Sequence, residues 1–191
     1  MAVQTGKNSL TVILLIIVVI MGCEIVYLIY QNRELRVLLE EASSIQVLRQ
    51  GQAVPPVTAA DLDGGPVVVR YGEQAPSTVL IWLSPSCHVC EENIAFWNDI
   101  YARYQSERVR FLALCDAPPD EARTYATDHS LALPLVCVAD ERLIDAYNGR
   151  VMPQTAIISP QGTIDQVWPG ALEKTRQDEI TASLDSLSKK P

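Results

Sequence analysis

A strand, an abrupt stop and a helix start gathered around two cysteines constrain this chain more than any other feature. Residues 78–83, Thr-Val-Leu-Ile-Trp-Leu, form an apolar, β-branched run of the kind found in strands buried on both faces. Ser84-Pro85-Ser86 ends that run. Beyond Cys87-His88-Val89-Cys90, the residues Ile94, Trp97, Tyr101 and Tyr104 recur at helical spacing, which predicts a helix starting near Cys87 with Ser86 as its N-cap. Cys87 then lies over a helix N-terminus, where unpaired N–H groups and the positive dipole end favour thiolate over thiol. Cys87 is expected to attack and Cys90, one turn further on, to resolve, so that the pair closes a reversible disulfide.

Two cysteines at this spacing are also half of a zinc site, but a structural site needs a second short-spaced pair of Cys or His ligands. Cys115 and Cys137 stand far apart in separate apolar stretches, and His129 is alone in a polar helical segment. No metal and no cofactor is therefore expected. Cys115 and Cys137 read as small core residues, and as a second disulfide if they face each other on adjacent strands. Downstream, Met152-Pro153-Gln154-Thr155-Ala156-Ile157-Ile158 sets a proline at the mouth of an apolar strand. Either a cis peptide there exposes the backbone of Met152 for pairing with an incoming chain, or the proline is an ordinary trans residue at a loop-to-strand junction.

Charge and hydropathy divide the chain. Formal net charge is -8, from 15 basic and 23 acidic residues, with no basic stripe and no Lys or Arg clusters interleaved with the aromatics. That excludes a nucleic-acid surface and suits a head that meets protein partners. Residues 10–30 are apolar apart from Thr11, Gly22, Glu24 and the tyrosine hydroxyls, enough for about 20 residues of bilayer crossing. The run reads as an uncleaved signal anchor. The competing readings are a lipoprotein signal ending at Cys23 and a cleaved secretory peptide. Lys7 and the amino terminus flank one side, Arg33, Arg36 and Arg49 the other, and that count favours a cytoplasmic head.

Three parts follow: an anchor over residues 1–30, a helical stalk over 31–50 and one domain over 51–191. In the stalk, Leu28, Leu35 and Ala42 recur at heptad spacing with Leu38 and Ile45 between them, too few repeats for a firm coiled coil. Within the domain, strands are expected at 66–70, 78–83, 108–115 and 133–138, and a hairpin at 155–159 and 163–168. Helices are expected from Pro119, from Glu141 to Gly149, and along a last segment with Leu172, Ile180, Leu184 and Leu187 on one face.

These pieces resemble, in order, the TlpA/ResA type of thioredoxin-like redoxin. The matching residues are Val54-Pro55-Pro56, Asp61-Leu62-Asp63-Gly64-Gly65, Cys87-His88-Val89-Cys90, Tyr147, Met152-Pro153-Gln154-Thr155, Ser159-Pro160-Gln161-Gly162 and Gly170. Ser84-Pro85-Ser86-Cys87-His88-Val89-Cys90 is also similar to the Ser-Pro-Thr-Cys-Pro-Val-Cys of MauD, a member associated with methylamine dehydrogenase maturation. The resemblance implies an α/β fold, a thioredoxin-like central mixed sheet flanked by helices behind one N-terminal transmembrane helix. It also implies an extracytoplasmic, single-pass thiol-disulfide oxidoreductase that takes protein disulfide or dithiol substrates and draws on a membrane thiol donor. Met152 and Pro153 become substrate-positioning residues. His88, inside the motif, either stabilises the thiolate or points to solvent.

Several positions depart from that pattern. Asn93 stands where the apocytochrome-type reductases commonly carry a proton-shuttling Glu, with Glu91 and Glu92 nearby. Ser86 replaces the usual Trp, and Ile81 takes the place of thioredoxin's buried Asp. A peroxiredoxin would need Pro-x-x-x-Thr/Ser-x-x-Cys, but Leu80 and Leu83 occupy the proline positions. A Sco-type copper chaperone prefers CxxxC with a downstream histidine. The non-catalytic alternative is an assembly factor whose head only holds a partner.

Overall fold

The computed structural model describes residues 5–44 and 48–189. Its elements run α1 (Thr5–Ser44), β1 (Val57–Ala60), β2 (Pro66–Val69), β3 (Ser77–Leu83), α2 (His88–Tyr104), β4 (Val109–Cys115), α3 (Pro119–Asp128), β5 (Leu135–Cys137), α4 (Glu141–Ala146), β6 (Gln154–Ile158), β7 (Ile164–Pro169) and α5 (Lys174–Lys189). Met1–Ile45 and Gln46–Pro191 are separate compact units. In the first, the stretch Leu15–Arg33 has a mean hydropathy of 1.9 and is long and apolar enough to cross a membrane. Leu35, Leu38 and Ala42 of the expected stalk lie on the same continuous helix. Ile45 of that stalk, and the amino terminus counted for orientation, lie outside the described residues.

The second unit is built on a seven-stranded sheet in the order β2-β1-β5-β4-β3-β6-β7. Strands β3, β4 and β5 are parallel, and β6, β7, β1 and β2 join antiparallel. This is the expected mixed sheet. Its middle follows from β3, where every residue is buried. Val79, Ile81 and Leu83 point into a core with Ile94, Trp97, Ile100, Ile180 and Leu184, which come from α2 and α5. Leu80 and Trp82 point into the opposite core with Leu143, Tyr147, Ile158 and Leu48. A strand with apolar residues on both faces needs a layer on each side, and the helices supply both.

Four boundaries differ from the sequence expectation. β1 has no counterpart there, because Val-Thr-Ala-Ala is short and only weakly β-forming, and its pairing with β2 fixes it. β5 covers three residues because its flanks pair as isolated bonds, Ala113 N–H to the Pro134 carbonyl and Val138 N–H to the Cys115 carbonyl. α4 stops at Ala146 rather than Gly149. Asn148 there adopts φ 48°, and the Gly149 N–H bonds back to the Ile144 carbonyl. Finally, the N-cap of α2 is Cys87, not Ser86. The Ser86 hydroxyl is instead paired with the Ser84 hydroxyl at 3.0 Å.

Candidate active site

Cys87 and Cys90 sit where β3 hands over to α2. The turn is closed by the Cys87 N–H on the Ser84 carbonyl and the Cys90 N–H on the Cys87 carbonyl, both 3.0 Å. The sulfurs are in disulfide contact and the Cα atoms are 5.4 Å apart, well inside the range a disulfide bridges. Their burial is unequal. Cys87 is partly exposed at the N-cap, and Cys90 is fully buried in the α2-side core. A partner sulfur can therefore approach Cys87 and not Cys90. The side chain of His88 is 96% exposed, with Nδ1 3.3 Å from Glu91 Oε1, and Val89 beside it is exposed as well.

Met152 and Pro153 reach the same edge of the sheet from the other side. Trp82 of β3 pairs in register with Gln154 of β6, antiparallel. Pro153 and Met152 come directly after the last pair of that ladder, and Met152 packs against the same core cluster as Cys87. The Met152-Pro153 peptide is cis. β6 begins only at Gln154, so no strand precedes Pro153; the residues before it are a loop, because Asn148 and Val151 already spend their carbonyls on the Gln154 side chain. The Gln154 amide, fully buried, bonds those two carbonyls at 2.8 and 2.7 Å, and its Oε1 accepts from the Leu48 N–H. The Pro153 carbonyl accepts from the Gly170 N–H at 2.7 Å.

Asn93 is a brace rather than a proton carrier. Its Nδ2 donates to the Gly170 carbonyl, its Oδ1 accepts from the Leu172 N–H, and it is buried. Trp97 Nε1 likewise donates to Thr155 Oγ1 at 3.0 Å, fastening α2 to β6. Sequence reasoning passed over Gln154 and treated Asn93 only as a missing glutamate. The available signal was a polar residue inside an apolar pattern. Asn93→Ala strands a part-buried carbonyl and a buried N–H, and is expected to cost about 2 kcal/mol in urea unfolding with an unchanged m-value. A loss below about 1 kcal/mol would mean that solvent replaces both bonds.

The titratable groups beneath the site are apolar in their surroundings. Burial pushes the Cys115 thiol up to about 12 and raises Cys137. Burial also pushes Tyr125 up to about 12, aided by the nearby charges of Glu91 and Cys115, and its hydroxyl has no hydrogen-bond partner. Tyr147 and Tyr71, bonded to each other at 2.9 Å, are raised by burial as well. All of these are acids that the folded protein keeps protonated after the unfolded chain has begun to release them. Stability from this source is complete below pH 9 and is lost as pH rises through about 12. Urea midpoints should hold from pH 7 to 9 and then fall steadily; a flat profile to pH 11 would contradict it. Among the described residues no three His, Cys, Asp or Glu side chains gather as a metal site.

The AhpC/TSA family profile matches residues 50–167. The chain belongs to the AhpC/TSA family. It is 25% identical over 179 residues to the thiol-disulfide oxidoreductase ResA of Geobacillus thermodenitrificans, covering 93% of both chains. It is 24% identical over 133 residues to ResA of Halalkalibacterium halodurans, covering 69% of this chain and 75% of that one. Among solved structures, a thiol-disulfide oxidoreductase from Bacteroides fragilis superposes with a TM-score of 0.58 at 16% identity, over 70% of this chain and 99% of that one. A secreted Mycobacterium tuberculosis disulfide oxidoreductase homologous to Escherichia coli DsbE gives 0.56 at 20% identity, over 69% and 96%. The fold is thioredoxin-like, and with its cysteine pair the protein is a thiol-disulfide oxidoreductase. Leu80 and Leu83, both buried in β3, stand where a peroxiredoxin signature would need its proline.

Proposed function

We propose that the protein is a membrane-anchored disulfide reductase whose head, residues 51–191, works on the extracytoplasmic side through Cys87 and Cys90. The unequal burial of the two sulfurs carries the roles given to Cys87 and Cys90 in this reading. In the reduced protein the Cys87 thiolate attacks a client disulfide, forming a Cys87–client bond while the other client sulfur leaves and takes a proton. Cys90 then gives up its proton and attacks the Cys87 sulfur, releasing the second client thiol. Two electrons have passed to the client, and the protein holds the Cys87–Cys90 disulfide until a membrane thiol donor reduces it. Met152 and Pro153 position the client segment beside Cys87, and His88 tunes its acidity.

Residues 1–30 anchor the chain and 31–50 form the stalk. The apolar stretch in α1 supports the anchor. The head faces the extracytoplasmic side and takes clients of the kind met in cytochrome c or other redox-enzyme maturation; the relatives named thiol-disulfide oxidoreductase ResA support the exchange chemistry. The deciding experiment equilibrates the full chain with glutathione and dithiothreitol buffers and traps the thiols. A potential near −270 mV, about thioredoxin's, supports a reductase; one near −120 mV, about that of DsbA, means an oxidant and overturns the direction proposed. Labelling of Cys87 in intact cells by a membrane-impermeant maleimide tests the side.

A further inference from the structure

Behind the first cysteine pair lies a second. Cys115 ends β4 and Cys137 ends β5, and the two are Cα partners in the parallel ladder. Their row crosses the sheet directly behind the cysteine turn: Leu83, the last residue of β3, pairs with Cys115, Cys115 with Cys137, and Cys137 with Ala60 of β1. In-register residues of parallel strands project to the same face, and both cysteines belong to the core that also holds Cys90. Both are free thiols. Adjacent strands run about 4.8 Å apart, within the Cα separation that a disulfide spans.

From this register we propose that Cys115 and Cys137 are a second redox pair, which a low-molecular-weight disulfide such as oxidised glutathione closes into a cross-strand bond. Entry is through Cys137. It is 7% exposed whereas Cys115 is fully buried, and its three-residue strand meets β1 at a single register pair. The Cys137 thiolate attacks one sulfur of the oxidant, whose other half leaves as a thiol. Cys115 then loses its proton and attacks the Cys137 sulfur, expelling the second thiol. Two protein thiols are oxidised and one disulfide is reduced. Burial of both groups makes this slow beside exchange at Cys87.

The test counts thiols in the native full-length chain, across a series of glutathione buffers from reducing to oxidising, by acid quench, alkylation and intact mass. In the C23S/C87S/C90S variant, the two remaining thiols of the five cysteines should both disappear, with a peptide linking Cys115 to Cys137 and no added glutathione. Two thiols still alkylated in the most oxidising buffer, a stable glutathione adduct, or a link formed only in denaturant would each overturn the proposal. The wild-type chain gives the same answer without substitutions. Fully oxidised, it yields both the Cys87–Cys90 and the Cys115–Cys137 links if the second pair closes, and the Cys87–Cys90 link alone if it does not, whatever becomes of the exposed Cys23.

Discussion

Cys87→Ser reduces turnover of a protein disulfide to the uncatalysed level, whereas Cys90→Ser stops turnover at a covalent adduct. The difference follows from the site. Cys87 sits partly exposed at the N-cap of α2, and Cys90 is fully enclosed one turn later. Without Cys87 the site has no exposed sulfur to meet the client, and the buried Cys90 thiol cannot substitute for it. Without Cys90 the first attack proceeds, but nothing inside the protein can resolve the mixed disulfide, so roughly one equivalent of client remains attached until external thiol releases it. Non-reducing gels and intact mass read both outcomes. If Cys90→Ser traps nothing while Cys87→Ser does, the roles are reversed. If the double variant complements a deletion strain normally, the head holds its partner without chemistry.

The sequence made the centre of this fold legible because the centre is encoded locally. A fully apolar strand, a Ser-Pro-Ser stop and a helix with a spaced aromatic face need no distant information, and β3, α2 and β4 lie close to where the periodicity puts them. The elements it missed depend on partners. β1 is a strand because β2 pairs with it. Ser86 looked like a cap from its chemistry, yet Ser84, two residues earlier, takes its hydroxyl. Gln154 and Asn93 act on carbonyls and N–H groups distant in sequence, at Leu48 and at Gly170 and Leu172 respectively. A polar residue inside an apolar pattern marks such a position, but no local pattern names its partner. Spacing likewise could not decide whether Cys115 and Cys137 meet; only the ladder between β4 and β5 supplies their register.

Gly149→Ala should be among the most damaging small substitutions in the head. A Cβ at Gly149 would lie 2.2 Å from Cζ2 and 2.3 Å from Cε2 of Trp82. The indole cannot retreat. It is fully buried, and its ring stacks on Tyr147 at a centroid distance of 6.3 Å. Tyr147 is itself fixed by its hydroxyl on the Pro55 carbonyl at 2.6 Å. The backbone at 149 must therefore move, and the loop that carries Met152 and Pro153 moves with it. Overpacking of this kind costs about 3 kcal/mol, which lowers the melting temperature of a domain this size by about 10 °C. If that loop positions the client as proposed, displacing it by an ångström slows exchange by up to ~100-fold. Gly149→Ala combined with Trp82→Phe, which removes the clashing ring, should recover part of both losses relative to the sum of the single variants. A Gly149→Ala protein that melts and reacts like the wild type would mean that the Trp82 contact does not hold this loop in place.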